Sequence, residues 1–190
     1  LTFDKYICNN KLKALGFNCA KSYLYKKGDL IDLNEIIDII GLPCFVKPNG
    51  SGSSYGVSKV KEKANLSQAI KNALLYDNKV IIESFINGIE VSCGVYSNKK
   101  KIKALPITEI VSNNEFFDYN AKYKGESKEI TPARINKDLT LKIQNITIEI
   151  YKKMKLTGIC RVDFIIKKDE PYIIEINTIP GLSEESIIPK

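Results

Sequence analysis

The spacing of apolar residues along the chain predicts a mixture of helices and strands. Apolar residues that recur every three or four positions predict helices over 3–15, 31–40, 64–75 and 137–154. Short runs rich in Val, Ile, Phe and Tyr predict strands over 19–26, 44–46, 57–60, 80–85, 89–97, 101–107, 159–166 and 171–178. Polar, glycine-rich or aperiodic stretches predict loops over 49–56 and 112–133 and an irregular tail over 179–190.

The order of these elements favours the α+β class with antiparallel sheets. Several strands follow one another through short turns, as over 89–107 and 159–178, and few strand pairs are separated by a helix. The segment that ends at Gly88 is hinge-like. We therefore predict one domain over 1–88, which contains the glycine- and serine-rich loop, and a second over 89–190.

Charge changes this picture little. The chain has 190 residues, is 44% apolar and carries a net charge of +7, so it has enough apolar residues for a core. Its positive residues are spread along the sequence, and only Arg134 and Arg161 are arginines. A nucleic-acid binder concentrates its charge and uses Arg to read bases, so we favour a lysine-rich solvated surface over nucleic-acid binding.

The residue types that are absent restrict the chemistry. Because there is no His, Ser–His–Asp catalysis, Cys–His catalysis and His-ligated metals are excluded for this sequence. The five Cys are widely spaced, without C-x-x-C, which favours reduced thiols over disulfides or zinc. No apolar run approaches the ~18 residues of a membrane span, and we find no signal peptide. The chain begins at Leu1 rather than Met, so we expect a missing upstream piece.

Four polar residues alternate with apolar ones in the last two predicted strands. Arg161 and Asp163 lie two positions apart, as do Glu175 and Asn177, so each pair shares one face of its strand. Two carboxylates and an amide oxygen suit a hard cation such as Mg²⁺, and the adjacent Arg suits phosphate or an oxyanion. The alternative is an exposed sheet face with a salt bridge. We favour the metal and phosphate interpretation.

Two further segments carry weaker signals. The loop Lys47–Gly56 could bind an anion through its backbone N–H groups, or it could simply be a hairpin tip that favours Gly and Ser. Glu83 and Glu90 flank the turn Asn87-Gly88, where a planar ligand and a ribose could bind, but surface Glu residues are common. Neither interpretation is decided by these residues alone.

The long loop over 112–133 contains Lys122 and Tyr123. A mobile loop with a Lys and a Tyr could close over a charged intermediate and exclude water. The alternative, which these residues by themselves favour, is an ordinary exposed loop.

Taken together, these segments resemble the ATP-grasp superfamily, and within it the D-alanine–D-alanine ligase family. The segments that carry the resemblance follow the family's order: Asp4-Lys5, Phe45-Val46-Lys47-Pro48, Gly52-Ser53-Ser54-Tyr55-Gly56, Ile82-Glu83, Glu90, Ala121-Lys122-Tyr123, Arg161-Val162-Asp163 and Glu175-Ile176-Asn177-Thr178-Ile179-Pro180-Gly181-Leu182-Ser183. The last of them is the most specific. The resemblance implies an ATP-grasp fold, in which two α+β subdomains with antiparallel sheets sandwich a nucleotide.

The resemblance also implies roles for individual residues. Those that would contact the phosphates of ATP are Lys5, Lys47, Ser53 and Ser54. Those that would hold the adenine are Glu83 and the backbones of Ser84 and Ile86, with Glu90 on the ribose. Those on the loop that would cover the site are Lys122 and Tyr123, and Lys122 would also contact the nucleotide.

Further implied roles concern the metal, the reaction and the second substrate. The residues that would bind two Mg²⁺ ions, or Mn²⁺ in their place, are Asp163, Glu175 and Asn177. Those with implied catalytic roles are Arg161, Lys122, Tyr123, Ser53 and Gly181, of which Arg161 and the Gly181 backbone would stabilise the tetrahedral intermediate. Those that would bind the second D-alanine are Ser186 and Ile187, together with Gly181.

The activity implied by the resemblance is ATP-dependent ligation of two D-alanines through an acylphosphate, for peptidoglycan precursor synthesis. The implied setting is the cytoplasm, with a homodimeric parent enzyme and without nucleic-acid or membrane partners. Nothing before Leu1 corresponds to the family's N-terminal domain, and family members continue past Lys190. We therefore expect a fragment of the enzyme. The alternatives are another ATP-grasp carboxylate–amine or depsipeptide ligase and a non-catalytic nucleotide-binding module.

Overall fold

The computed structural model describes residues 1–52, 55–98, 101–112, 127–184 and 186–188. The helices within these ranges are α1 (Lys5–Ala14), α2 (Leu33–Ile40), α3 (Leu66–Ala73), which follows a 3-10 turn over Lys63–Asn65, and α4 (Lys137–Lys153). The strands are β1 (Ser22–Lys26), β2 (Cys44–Pro48), β3 (Ser58–Val60), β4 (Lys79–Ser84), β5 (Ile89–Asn98), β6 (Lys101–Ser112), β7 (Ser127–Ile130), β8 (Ile159–Lys167) and β9 (Glu170–Asn177). None of these helices is long and apolar enough to cross a membrane.

The first sheet has four antiparallel strands in the order β1-β4-β2-β3. Because side chains alternate along β2 and β4, Val46 and Ile82 face one side, where they pack with Ile36 of α2 and Ile70 of α3. The N-terminus of α2 is capped by Asp32, whose carboxylate accepts hydrogen bonds from two backbone N–H groups of the first turn. The opposite face of this sheet carries polar side chains of the candidate site.

The second sheet has five antiparallel strands in the order β7-β6-β5-β8-β9. One face is apolar: Val91, Val162 and Phe164 are fully buried and pack with Ile143 and Ile150 of α4. This face forms the larger core. The other face is the polar surface described below.

Helix α1 comes before the first sheet in the sequence but packs on the second. Its buried residues Cys8 and Leu12 belong to the core of the second sheet. The N–H of Ile173 donates to the carbonyl of Asn18, and a parallel bridge pairs Cys19 with Ile173. All strands up to β4 belong to the first sheet and all strands from β5 onward belong to the second. Segment 5–19, however, packs with strands of the second sheet. The boundary near Gly88 stays a prediction.

The predicted α+β class with antiparallel sheets is confirmed, and the differences lie at the sheet edge. Strand β6 extends to Ser112, beyond the predicted end at 107, and β7 occupies Ser127–Ile130 inside the predicted loop over 112–133. The loop prediction is therefore wrong at 127–130. The four residues of β7 include one apolar side chain, so they carry no alternation, and backbone pairing with β6 makes them a strand. Residues 113–126 lie outside the described residues.

Candidate functional site

The polar face of the second sheet brings together the four polar residues of β8 and β9. In the register of the two strands, Arg161 lies opposite Asn177 and Asp163 lies opposite Glu175. Opposite residues of an antiparallel pair project to the same side of the sheet. The four side chains therefore share one face, while Val162 and the following Phe164 point into the core.

A bulge in β9 keeps this face in register. The pairing shifts after Asp163, because Phe164 lies opposite Ile173 rather than Ile174. The extra residue allows Ile173 to join the core without turning Glu175 away from the polar face. The alternation of polar residues therefore predicts the right face, although it is not continuous along the strand.

The carboxylate of Asp163 is the centre of a hydrogen-bond network. Its Oδ1 accepts from Arg161 Nε at 2.8 Å and from the Ser92 hydroxyl at 2.6 Å. Its Oδ2 accepts from an Arg161 terminal nitrogen at 2.9 Å and from the Asn177 amide at 2.8 Å. Burial is the largest single effect and acts to lower the pKa of Arg161, but Asp163, together with the charges of Glu175 and Glu129, outweighs it, so the pKa is raised. Arg161 therefore remains charged and oriented.

The N-terminus of α1 is joined to the start of the glycine-rich loop. Asn49 is almost fully buried, and its side-chain oxygen accepts from the N–H of Tyr6 at 2.9 Å. Its backbone carbonyl accepts from the N–H of Lys5 at 3.1 Å. The Lys5 ammonium donates to the carbonyl of Ser51 and lies 3.6 Å from Glu175 Oε1. One cation therefore connects the loop with the polar face.

A second cation, Lys47, forms a buried ion pair on the first sheet. Its ammonium is 2.7 Å from Glu83 Oε2, and both side chains are largely buried. Burial is the largest single effect and acts to lower the pKa of Lys47, but the charge and hydrogen bond of Glu83, together with the charges of Glu175 and Glu90, act to raise it. The net effect is a raised pKa. Carboxylates from both sheets therefore act on one ammonium at the place where the sheets face each other.

The residues predicted to hold the adenine and ribose lie at the end of β4, at the start of β5 and in the segment between these strands. The N–H of Ser84 donates to the carbonyl of Lys21, so this N–H already has a partner. Ile86 lies in the segment between β4 and β5. Glu90 projects from the same face as Ser92, two residues further along β5. Ser84 is therefore on the first sheet, Glu90 is on the second, and Ile86 lies in the segment that connects them.

The tail after β9 turns back toward the polar face. A side chain on Gly181 would place its Cβ 2.5 Å from the hydroxyl of Ser186, so glycine allows this close approach. The N–H of Ser186 donates to the carbonyl of Ser183 at 2.8 Å. Ile187 follows in the same turn. The tail thus forms a compact turn that continues directly from the strand carrying Glu175.

Tight packing near the end of the tail depends on Gly94. A Cβ at Gly94 would lie 2.7 Å from Ile188, and Gly94 is the strand partner of Arg161. The tail therefore lies against the sheet beside Arg161.

Four predicted site residues lie outside the described residues: Ser53, Ser54, Lys122 and Tyr123. The structure also reveals three buried polar residues that the sequence reasoning missed, namely Asn9, Asn49 and Ser92. Ser92 could have been found from its position, since it is a polar residue within an otherwise buried strand. Asn9 and Asn49 gave no comparable signal, because their partners are distant in sequence.

The oxygen atoms of the polar face fit a hard divalent cation. Asp163, Glu175 and Asn177 offer two carboxylates and an amide oxygen, which are the ligands that Mg²⁺ takes in proteins. Asn177 directs its NH₂ group toward Asp163, so its amide oxygen is the atom left for a cation. Across the described part of the chain, no group of three or more Asp, Glu or Cys side chains could hold a metal ion. A three-ligand site on the polar face therefore needs the amide oxygen of Asn177 in addition to the two carboxylates.

Comparison with known proteins gives one consistent result. The family model described as "D-ala D-ala ligase C-terminus" matches residues 12–190. A D-alanine–D-alanine ligase of Flavobacterium johnsoniae is 54% identical over 190 residues, which is all of this chain and 59% of that protein. The chain thus spans about 59% of the length of this curated relative.

Two solved structures share the fold. The D-alanine–D-alanine ligase of Bacillus anthracis complexed with ATP matches with a TM-score of 0.83 and 28% identity, covering 99% of this chain and 58% of that one. The VanG D-Ala:D-Ser ligase of Enterococcus faecalis matches with a TM-score of 0.82 and 34% identity, covering 98% of this chain and 55% of that one. The predicted ATP-grasp fold is confirmed.

Proposed function

Since the chain belongs to the family described as D-ala D-ala ligase C-terminus, we propose that it carries the nucleotide-binding and catalytic part of an ATP-dependent ligase that joins two D-alanines. The product is D-alanyl-D-alanine, a precursor of peptidoglycan. This chain contributes the site between the two sheets, and the whole protein performs the reaction in the cytoplasm.

The observation that carries this proposal is the polar face of the second sheet. Arg161, Asp163, Glu175 and Asn177 share that face, and Lys5 contacts Glu175 from α1. A nucleotide triphosphate needs cations for its phosphates and hard oxygen ligands for its metal. A non-catalytic nucleotide-binding module needs no buried Arg oriented by a carboxylate beside those ligands.

The two lysines bind and orient the phosphates. Lys47 is held by Glu83 and Lys5 by the loop carbonyl of Ser51, so both ammonium groups are fixed before ATP binds. Prior fixation reduces the conformational entropy that binding would otherwise cost. Ser53 and Ser54 close the loop over the phosphates, Glu83 with the backbones of Ser84 and Ile86 contacts the adenine, and Glu90 binds the ribose.

Negative charge accumulates in both chemical steps. The carboxylate of the first D-alanine attacks the γ-phosphate of ATP, which gives an acylphosphate and ADP. The amine of the second D-alanine then attacks the acyl carbon, loses a proton, and phosphate departs. Arg161 and the N–H of Gly181 stabilise the oxyanion that forms, and Ser186 and Ile187 bind the carboxylate of the second substrate.

The remaining residues support this chemistry. Asp163, Glu175 and Asn177 would hold Mg²⁺, which would supply positive charge to balance that of the transferred phosphoryl group. Lys122 and Tyr123 exclude water when their loop covers the site, which protects the acylphosphate from hydrolysis. The phosphates, the oxyanion and the carboxylate of the second substrate are therefore all met by charged or hydrogen-bonding groups of this chain.

A product assay on the complete protein tests the proposal. With ATP, Mg²⁺ and D-alanine, we expect ADP, phosphate and D-alanyl-D-alanine in equal amounts, identified by mass spectrometry. ATP hydrolysis without dipeptide, or no ATP turnover, would contradict the proposed ligase. Arg161→Lys keeps the positive charge but loses the fork geometry, so it should lower kcat more than it raises KM for ATP.

A second candidate is ligation of D-alanine to a different second substrate. The similarity to a D-Ala:D-Ser ligase favours testing it. The same assay with D-serine or D-lactate as the second substrate separates the two, because the mixed product differs in mass from D-alanyl-D-alanine. We expect D-alanine to have the highest kcat/KM at neutral pH, and a higher value for D-serine or D-lactate would replace the first candidate.

A further inference from the structure

Asn9 makes a contact between the two sheets that the proposed mechanism does not use. It lies on α1, whose neighbouring residues Cys8 and Leu12 pack into the core of the second sheet. Its amide nitrogen donates to Glu83 Oε1 at 3.1 Å, and Glu83 belongs to β4 of the first sheet. The other carboxylate oxygen of Glu83 accepts from Lys47 at 2.7 Å. The three residues form one buried chain of contacts: Asn9, Glu83, Lys47.

The amide orientation of Asn9 follows from the carboxylate. An ionised carboxylate accepts hydrogen bonds only, so the NH₂ group of Asn9 must face Glu83. The side-chain oxygen is then buried without a hydrogen-bond partner among the described residues. A buried acceptor without a partner costs stability, and a leucine of similar volume would avoid that cost. The side-chain oxygen of Asn9 therefore opposes folding, while its NH₂ group holds Glu83.

The surroundings of Asn9 connect it to the phosphate-binding cations. Asn9 borders a small cavity that is also lined by Lys5 and Glu175. It therefore lies between two ion pairs. Lys47 and Glu83 both belong to the first sheet, whereas Lys5 of α1 pairs with Glu175 of the second sheet.

From this geometry we infer that Asn9 is a positioning residue for nucleotide binding, which fixes the Glu83 carboxylate so that the Lys47 ammonium points to the phosphates of ATP. This inference rests on the proposed function. Without the amide donor, Glu83 gains rotational freedom and Lys47 loses its fixed direction. The position of α1 on the second sheet is thereby linked to the phosphate-binding cation of the first.

Two substitutions separate positioning from folding. Asn9→Leu removes the unpartnered oxygen, which favours folding, and the donor to Glu83, which opposes folding. The melting temperature should therefore change little, while the Kd for nucleotide rises about tenfold, the lower end of the value of one hydrogen bond to a charged group. Asn9→Asp places a second carboxylate beside Glu83 and should raise the Kd at least as much. The matched control is Asn10→Leu, since Asn10 is exposed on the same helix and should change neither quantity.

The test measures Kd for the non-hydrolysable ATP analogue AMPPNP with Mg²⁺, by calorimetry on the complete protein. Asn9→Leu is also made in a Glu83→Met background, which removes the acceptor of the Asn9 amide, and there we expect less than about a twofold further change because both substitutions disrupt the same contact. A Kd unchanged by Asn9→Leu, or an equal effect in both backgrounds, would overturn the inference. If the unsubstituted protein does not bind AMPPNP, the proposed function itself fails.

Discussion

The ion pair between Arg161 and Asp163 allows a quantitative prediction from the structure. Both N–H···O contacts are short, at 2.8 and 2.9 Å, and the side chains are only 19% and 12% exposed. Removing one partner of a buried pair typically costs about 3–5 kcal/mol, because the other charge is left without compensation. The remaining exposure of these side chains reduces that cost.

The variant Asp163→Asn removes the negative charge of this side chain with little change of volume. Each oxygen of Asp163 accepts one N–H from Arg161 and one donor from another residue. An amide in either orientation therefore directs its NH₂ group toward an Arg161 donor. We expect the free energy of unfolding to fall by about 2–4 kcal/mol, from the loss of a charge-assisted bond and the uncompensated guanidinium.

A double-mutant cycle with Arg161→Met measures the coupling. Urea denaturation of the complete protein, followed by circular dichroism, should give a coupling energy of about 1.5–3 kcal/mol. The matched control is the pair Lys142–Glu170, which has a contact of 2.7 Å but side chains 40% and 53% exposed. An exposed pair should give about 0.5 kcal/mol. A coupling at Arg161–Asp163 no larger than that of the control would refute the reasoning.

Three further predictions concern other parts of the molecule. Lys47→Met should raise the Kd for AMPPNP by roughly 10- to 150-fold, the value of a hydrogen bond to a charged group, and an unchanged Kd in calorimetry would contradict its phosphate role. The hydrogen bonds from Arg134 lower the pKa of Glu109, so their stabilisation is complete above the unfolded pKa of about 4.3 and is lost as the pH falls through the folded value. Glu109→Gln should therefore flatten the loss of unfolding free energy in acid, and an identical pH profile would argue against it. Ile143→Ala, in the core, should cost about 2–5 kcal/mol in urea denaturation, whereas Leu141→Ala on the exposed side of α4 should cost about 0.5 kcal/mol or less, and equal costs would contradict the packing.

The strand pair β8–β9 shows how much of the site the sequence could predict. Alternation alone places Arg161 and Asp163 on one face, and Glu175 and Asn177 on the same face if the strands pair through their turn. The bulge at Ile174 could not be predicted, because it depends on how Ile173 packs in the core. The network around Asp163 also includes Ser92, which is distant in sequence and joins only when β5 pairs with β8.

Helix α1 shows the limit of local reasoning about domains. Its apolar residues predict a helix correctly, but they do not indicate which sheet it covers. Cys8 and Leu12 pack with strands more than seventy residues later, and that choice depends on tertiary packing. The same holds for β7, where pairing with β6 outweighs a sequence with little strand character. Local periodicity therefore predicts the elements better than their partners.

We propose above that this chain binds Mg²⁺-ATP through the oxygen ligands of its polar face, Asp163, Glu175 and Asn177. The most direct measurement is the Kd for AMPPNP with Mg²⁺ and with EDTA, for the complete protein and for the variants Asp163→Ala and Glu175→Ala. We expect Mg²⁺ to tighten binding to the unsubstituted protein, and each variant to lose most of that metal-dependent part. Equal Mg²⁺ dependence in the protein and in both variants would contradict the account.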